Sequence, residues 1–455
     1  MSDSGISKME TMPVGRLLIT MSIPMMISFF IQALYNIVDS IFVAQISENA
    51  LTAVSLAFPM QQVLTAIAVG TGVGINTMVP RYLALGKKDE ADNIANSGVF
   101  AVICFGIIFA LLGVFLSRWI YSAQTDIAEI IDGGTIYLGI CWGIGIGPLF
   151  GQYFEKMLIA NGNAVFAMVS QAVGAVINII FDPLFIFGIG PFPKMGIAGA
   201  ATATVLGQVV AALTALYFNR IKVKNINYSA KKIVKPKISS IVEIYSVGIP
   251  AMVTIGLTGL CSFSVNQVLL KYSSTATAVY GIWLKIQNFC FMPSFGMNNG
   301  IVPILSYNYA KKNYARIKKT LKYALGIIIS LMVILTVIFE FIPARLLTLF
   351  DASENMMAIG IPAIRCGVAS LIFGGTCIIM GSSMQAMGHS RYTLILNIAR
   401  QFILPFGMFW ILSEMFSSLD IVWMAVPASE IISAVVAIIF ALNMMKKLRK
   451  ICKIQ

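Results

Sequence analysis

Long uninterrupted apolar stretches separated by short polar loops decide the fold class of this chain before any motif is considered. They fall at 16–43, 51–82, 93–116, 128–152, 160–187, 196–218, 240–264, 275–306, 318–343, 357–385, 391–413 and 421–445. Each exceeds the roughly 20 residues that a helix needs to cross a hydrocarbon core about 30 Å thick. None alternates apolar and polar residues as a barrel strand does, so helices are the element that keeps every backbone group bonded in lipid. The expectation is an all-α polytopic membrane protein with twelve transmembrane helices. A composition of 58% hydrophobic and 11% charged residues leaves little room for a sizeable soluble domain. The polar opening MSDSGISKMETMPVG is followed by an apolar stretch far longer than the core of a signal peptide, so the first span is expected to stay in place.

A net charge of +13 would suit a nucleic-acid partner, but the placement of the basic residues excludes one. With the N-terminus placed in the cytoplasm, only Arg118, Lys194, Lys271 and Arg345 fall in outer loops, and Lys285, Arg365 and Arg400 fall within spans. The rest of the Lys and Arg lie on the cytoplasmic side, the positive-inside pattern of a plasma-membrane protein. Both termini are therefore expected in the cytoplasm. The seven cysteines form no CxxC, and His389 is the one histidine, so no metal centre is expected.

The basic stretch between Arg220 and Lys237 divides two similar halves. Ile23-Pro24-Met25-Met26 matches Ile249-Pro250-Ala251-Met252 at an offset of 226. Thr52-Ala53-Val54 with Gln62 matches Thr277-Ala278-Val279 with Gln287 at 225, Asn76, Val79 and Pro80 match Asn299, Val302 and Pro303 at 223, and Ala160 and Gly162 match Ala386 and Gly388 at 226. Six spans per half is an even number, so the halves enter from the same side and the repeat is parallel. The expected organisation is a first lobe over 1–219, a cytoplasmic linker over 220–238, a second lobe over 239–446 and a basic tail over 447–455. Duplicated bundles of this kind are a transporter architecture.

Two carboxylates lie deep in the first half. Asp39 stands in FIQALYNIVDSIFVAQ and Asp182 in NIIFDPLFIFGIG. A charge at such a depth costs roughly 2.5–3.5 kcal/mol on insertion scales, so it is kept for a purpose. Counted from the inner end of the first and fifth spans, both lie about 30 Å along, at 1.5 Å per residue. At the offset of 226 their counterparts are Val265 and Met408, so the second half has the scaffold without the acids. Asn178 sits one turn before Asp182, and Gln32, Tyr35 and Asn36 extend a polar stripe ending at Asp39. Pro24 and Pro183 are expected to bend their helices. A buried carboxylate disfavours its charged form and can carry a proton; once ionised it attracts a cation. The reading is therefore a coupling site at Asp39, Asp182 and Asn178.

Other features carry less. Lys285, Arg365 and Arg400 are read as snorkelling or structurally paired cations, and Glu155 and Glu430 as structural acids. The glycine runs VGTGVGIN (69–76) and WGIGIGP (142–148) lack the strand and lysine of a phosphate loop and are read as close packing or bending. Met25, Met26, Phe29, Phe30, Tyr35 and Tyr137 can form an adaptable apolar wall for varied ligands.

The segments IPMMISFFIQALYNIVDSIFVAQ, PRYLALGKKDEA and NIIFDPLFIFGIGPFPKMGIAGAATAT, together with the six-plus-six repeat, resemble the MATE family (multidrug and toxic compound extrusion) along essentially the whole chain. The resemblance implies a V-shaped molecule of two six-helix lobes, with a proton or sodium ion entering as an organic cation or zwitterion leaves. In the DinF-like and MepA-like branch the ion site lies in the first lobe. Here that would be Asp39, Asn178 and Asp182, with Tyr35, Tyr137 and Thr202 beside them. Another branch places carboxylates in the seventh and tenth spans; this chain has only Glu243 at one end of the seventh and none in the tenth.

The expected function is thus a multidrug efflux antiporter for cationic drugs and dyes, working as a monomer among membrane lipids, with no cofactor and no covalent chemistry. Sodium coupling would draw on Asp39, Asn178, Asp182 and Thr202 as oxygen ligands. The alternative reading is a flippase for a lipid-linked saccharide or other lipid; polyanionic cargo of that kind would want several cations along the path, where only Lys285 and Arg400 are available.

Overall fold

The computed structural model describes residues 5–350 and 352–453 and, over these, consists of helices without strands. The Cys452 side chain and the last residues of the basic tail lie outside the described residues. Among them, nine helices are long and apolar enough to cross a membrane: Val14–Ala44, Asn49–Ala84, Lys88–Ser122, Ala164–Phe187, Ile197–Lys222, Ile238–Leu269, Tyr314–Phe341, Ser390–Met415 and Leu419–Lys450. Two more spans are broken helices, Ala128–Gly143 with Ile146–Ala160 and Glu354–Ala369 with Leu371–Ala386, bent by 42° and 41°. The remaining long helix, Ser274–Ala310, is more polar, with Asn288, Asn298 and Asn299 in its sequence. Counted in chain order these are the first to twelfth spans, the broken pairs being the fourth and tenth and Ser274–Ala310 the eighth.

The first break lies within the WGIGIGP run, between Gly143 and Ile146, so those glycines serve a bend. Beyond it the fourth span continues to Ala160, eight residues past the apolar run, because Glu155 and Lys156 are buried in the helix instead of ending it. Helical structure runs through both Pro24 and Pro183.

The repeat is written into the backbone. The second span, Glu48–Ala84, and the eighth, Ser274–Ala310, are each 37 residues long and stand 226 apart. Each begins behind a serine cap: Ser47 accepts the Ala50 N–H at 3.0 Å and Ser273 the Ala276 N–H at 3.0 Å. A serine oxygen there satisfies one of the helix's orphan amides. Left-handed residues recur at the same offset, Gly162 (φ +77°) with Gly388 (φ +84°), and Gly86 (φ +70°) with Lys312 (φ +54°). Lys312 is the non-glycine residue with positive φ among the described residues, holding a turn that its counterpart makes with glycine.

Two compact units divide the chain, one over Ile19–Met252 and one from Val253 onward that also takes Pro13–Leu18. In the first, the fifth and sixth spans meet along glycine. A Cβ on Gly207 would lie 2.7 Å from the Gly174 carbonyl and 3.0 Å from Asn178 Cβ, so the two backbones touch only because both residues lack side chains. Tyr121 donates to the Ala53 carbonyl (2.7 Å) and Tyr153 to that of Ala95 (2.8 Å), tying spans together through polar groups that lipid could not satisfy. The third span turns Ile107, Leu111, Val114, Phe115 and Trp119 outward, an apolar flank suited to lipid.

The linker after the sixth span is fastened to the start of the third. The Asn227 N–H donates to buried Asp92 at 2.8 Å, and the Ser229 N–H donates to Asn96 at 2.9 Å. Asn96 returns a bond to the Asn227 carbonyl at 2.9 Å, and Lys237 pairs with Glu90 at 2.9 Å.

Candidate functional site

The first unit encloses a cavity of about 450 Å³, walled by five of its spans. Every wall is a stripe at helical spacing. The first span contributes Gln32, Tyr35, Asn36 and Asp39, the second Phe58, Gln61, Gln62 and Thr65. The fourth contributes Pro148, Gly151, Gln152 and Glu155, the fifth Ser170, Gln171, Gly174 and Asn178, and the sixth Thr204, Gly207, Gln208 and Ala211. Steps of three and four residues put each set on one helix face. The small residues Gly174, Gly207 and Ala211 let the fifth and sixth spans close on each other along its edge, and the amides give it hydrogen-bonding walls. Tyr137, 4% exposed, closes it from the first half of the broken span.

Asp182, fully buried on the fifth span one turn beyond Asn178, takes a hydrogen bond from the Asn178 amide at 3.3 Å. The Asp39 carboxyl faces Asp182 within hydrogen-bonding reach, across from the first span. Asp39 Oδ1 and Asp182 Oδ2 are both buried and receive no protein donor as carboxylates. A carboxyl group donates only when it holds a proton. The contact between these two acids is therefore complete when one proton is shared between them. Tyr35 stands one turn beyond Gln32 on the same stripe.

Of the residues singled out in the sequence, Gln32, Tyr35, Asn36, Asp39, Tyr137 and Asn178 line the cavity, with Asp182 bonded to Asn178 and within reach of Asp39. Met25, Met26, Phe29 and Thr202 are not among its lining residues. Met25 is buried at 1% exposure, and the Thr202 hydroxyl donates to the Ala198 carbonyl of its own helix at 2.7 Å. Pro24 is buried in the first span, and Pro183 follows Asp182. Sequence reasoning passed over Gln61, Gln62, Gln152, Gln171 and Gln208. Their signal was present: amides recurring at helical spacing on apolar spans. Glu155 lines the cavity as well, paired at 3.5 Å with the buried Lys156. Among the described residues no cluster of three or more His, Cys, Asp or Glu side chains could hold a metal ion.

The deep cations of the second unit are engaged there. Arg400 donates two hydrogen bonds to Glu430, Nε to Oε2 at 2.8 Å and Nη2 to Oε1 at 2.9 Å. Arg365 stands 3.4 Å from Glu340, and Lys285 lies 5.6 Å from the centre of the Phe350 ring.

A family model, MatE, matches residues 24–184 and again 250–411. The two matches start 226 residues apart and together take in most of the chain. The chain belongs to the MatE family. It is a multi-pass membrane transporter, not an enzyme. This MatE protein is 26% identical over 429 residues to the multidrug export protein MepA of Staphylococcus haemolyticus, covering 93% of the chain and 92% of the relative. It is 25% identical over 426 residues to the MepA of Staphylococcus aureus strain MRSA252, with the same coverage. Its fold superposes on a multidrug resistance MATE family transporter of the MOP superfamily, solved in an outward-facing conformation, with a TM-score of 0.92 at 23% identity. That match covers 99% of this chain and 100% of the other. A MOP superfamily transporter from Pyrococcus furiosus, described as having a binding pocket of reverse polarity, gives 0.91 at 22% identity over 99% of both chains.

The second family match is one residue longer than the first. The eleventh span contains a π turn, Ala399–Ile403, which holds one more residue than an α turn and accounts for a difference of that size. Past it the offset becomes 227, so the structural counterpart of Asp182 is Phe409 in place of Met408. Both are apolar, and the asymmetry between the halves stands.

Proposed function

We propose that this transporter exports amphiphilic organic cations or zwitterions, drugs and dyes among them, in exchange for protons moving inward. The observation that carries the reading is the Asp39–Asp182 carboxyl contact beside a cavity of about 450 Å³ walled by amides and tyrosines. That volume suits a drug-sized molecule. Amide walls offer donors and acceptors without a fixed charge pattern, which fits cargo of varied shape. With both acids ionised, the cavity carries negative charge next to Asn178 and Tyr35 and draws in a cation. A proton taken from outside restores the carboxyl–carboxyl hydrogen bond, removes the charge and releases the cargo. Proton and cargo then prefer different states of one site, which is what exchange requires.

Protons are preferred to sodium because the acids touch each other, a contact a proton completes and a bound cation would have to part. Thr202, the further oxygen that a sodium site would use, is bonded within its own helix. The MepA relatives are named for multidrug export, which supports the cargo class. The distribution of Lys and Arg supports cytoplasmic placement of both termini.

The test is ethidium efflux from cells lacking their own pumps, comparing wild type with Asp182→Asn at equal membrane expression under an imposed pH gradient. Efflux by wild type and not by the variant is expected. Equal efflux would reduce Asp182 to a structural role. No efflux from either would turn the search toward lipid-linked cargo.

A further inference from the structure

The second unit contains a pocket of about 70 Å³ that is the repeat counterpart of the first unit's cavity. Its Thr258, Cys261 and Gln287 correspond to Gln32, Tyr35 and Gln62, which line the larger space. The decisive residue is Arg400, which at the offset of 226 falls on Gly174, also a lining residue of the first cavity; Glu430, on the twelfth span, is its partner. Where the first unit has a glycine in close contact with Gly207 and Ala211, the second has an arginine side chain.

The Arg400 guanidinium is held as a bound ligand would be. Two parallel hydrogen bonds of 2.8 and 2.9 Å join it to the Glu430 carboxylate, and its centre lies 5.6 Å from the middle of the Phe291 ring. Both partners of the ion pair are about nine-tenths buried. Bidentate pairing of a planar cation with a carboxylate, over an aromatic face, is a recognition geometry in its own right. Such a pair gives no net stability over apolar residues of similar volume, so packing alone does not account for it. The π turn Ala399–Ile403 carries Arg400. Turns of this kind are rare and concentrate at functional positions.

We propose that the second unit holds a latent organic-cation site, built from the Glu430 carboxylate and the Phe291 ring, which Arg400 occupies with its own guanidinium. The ligand class is a small planar guanidinium or amidinium cation able to pair with a carboxylate through two N–H groups. An ammonium ion lacks that fork. The tethered cation keeps the second cavity closed, so free cations are left the first. The site stands whether or not the first cavity carries exported cargo.

The experiment uses the full-length protein in detergent and follows its thermal unfolding. Arg400→Gly installs the residue of the first unit and leaves Glu430 uncompensated, so its Tm should fall below that of wild type. Millimolar methylguanidinium chloride should then raise Tm saturably by about 2–4 °C beyond any shift in wild type. Methylammonium and sodium chloride at the same ionic strength should not. The double variant Arg400→Gly/Glu430→Thr should fold without help and gain nothing from methylguanidinium, because the carboxylate is gone. No response of Arg400→Gly, or an equal response to all three salts, overturns the proposal. Should Arg400→Gly not survive purification, the double variant decides: a folded, unresponsive protein supports the site, and failure of both variants overturns it.

Discussion

Replacing either acid of the Asp39–Asp182 pair by asparagine should abolish the work that a pH gradient can do while leaving the cavity in place. The amide has nearly the shape of the acid and can still donate to the remaining carboxylate, so the local geometry survives. What is lost is the exchangeable proton. The contact between the two carboxyls needs one proton, and full ionisation releases that one. Exchange of one proton for one monovalent cation is electroneutral, so the pH difference alone sets the limit. One pH unit is worth about 1.4 kcal/mol per proton, which sustains a cation ratio of about tenfold. Two units sustain about a hundredfold. Purified protein in liposomes, with ethidium outside and an acidic lumen, should therefore concentrate the dye in the lumen toward that ratio. Asp39→Asn and Asp182→Asn should hold it near one at equal reconstitution. A variant that still builds the tenfold ratio would refute the coupling role of its residue. A ratio that ignores pH and follows a sodium gradient would refute the proton while keeping the pair as an ion site. A wild-type ratio near a hundredfold per pH unit would mean a second proton carrier besides this pair.

Three further outcomes follow from the packing. Gly207→Ala places a methyl group 2.7 Å from the Gly174 carbonyl and 3.0 Å from Asn178 Cβ, and should cost about 1–3 kcal/mol, read as a lowered Tm, with weakened transport because Asn178 moves. Lys312→Gly should stabilise the protein by roughly 0.5–1 kcal/mol, since relief of the left-handed penalty of about 1–2 kcal/mol exceeds glycine's entropic cost of about 0.5–1; a lower Tm would refute this. Asp92→Ala should destabilise by about 1–3 kcal/mol through loss of the buried bond from the Asn227 N–H, whereas Glu90→Gln at the exposed Lys237 pair should change Tm little; equal effects would refute the distinction between them.

The spans were legible because lipid imposes length and apolarity on each of them separately, with no need to know its neighbours. The repeat was legible for a related reason: caps and left-handed turns such as Ser47 with Ser273 and Gly162 with Gly388 are local requirements, and local requirements persist in sequence. Asp39 and Asp182 stood out because an acid in hydrocarbon is costly wherever it points. The glutamines did not, since Gln61 or Gln152 could as well have faced another helix, and only the assembled unit shows which face encloses space. The length of the fourth span was underestimated for the same reason. Lys156 looks like a loop residue until its burial against neighbouring helices is seen. Arg400 was readable as a paired cation, but its partner Glu430 lies on another helix, and no spacing along the chain connects them.

The two halves show how little sequence separates an open site from a closed one. Most of their spans begin at equivalent residues and the same turns recur, so the π turn of the eleventh span is the main backbone difference between them. The difference lies at a few inward positions. Gly174 lies against Gly207 and Ala211 where its counterpart is Arg400, and Asp39 and Asp182 stand where Val265 and Phe409, both almost fully buried, are apolar. In the first unit the carboxyl pair has no ion-pair partner among the described residues, which on the proposed function leaves it to a proton or a passing cation. In the second the carboxylate of Glu430 already has its cation on the same chain. An acid can exchange its partner only if that partner is free to leave. On the proposed function, proton and cargo exchange fall to the unit whose acids face each other, and the arginine of the other unit is the residue whose removal should reveal a site of the same kind.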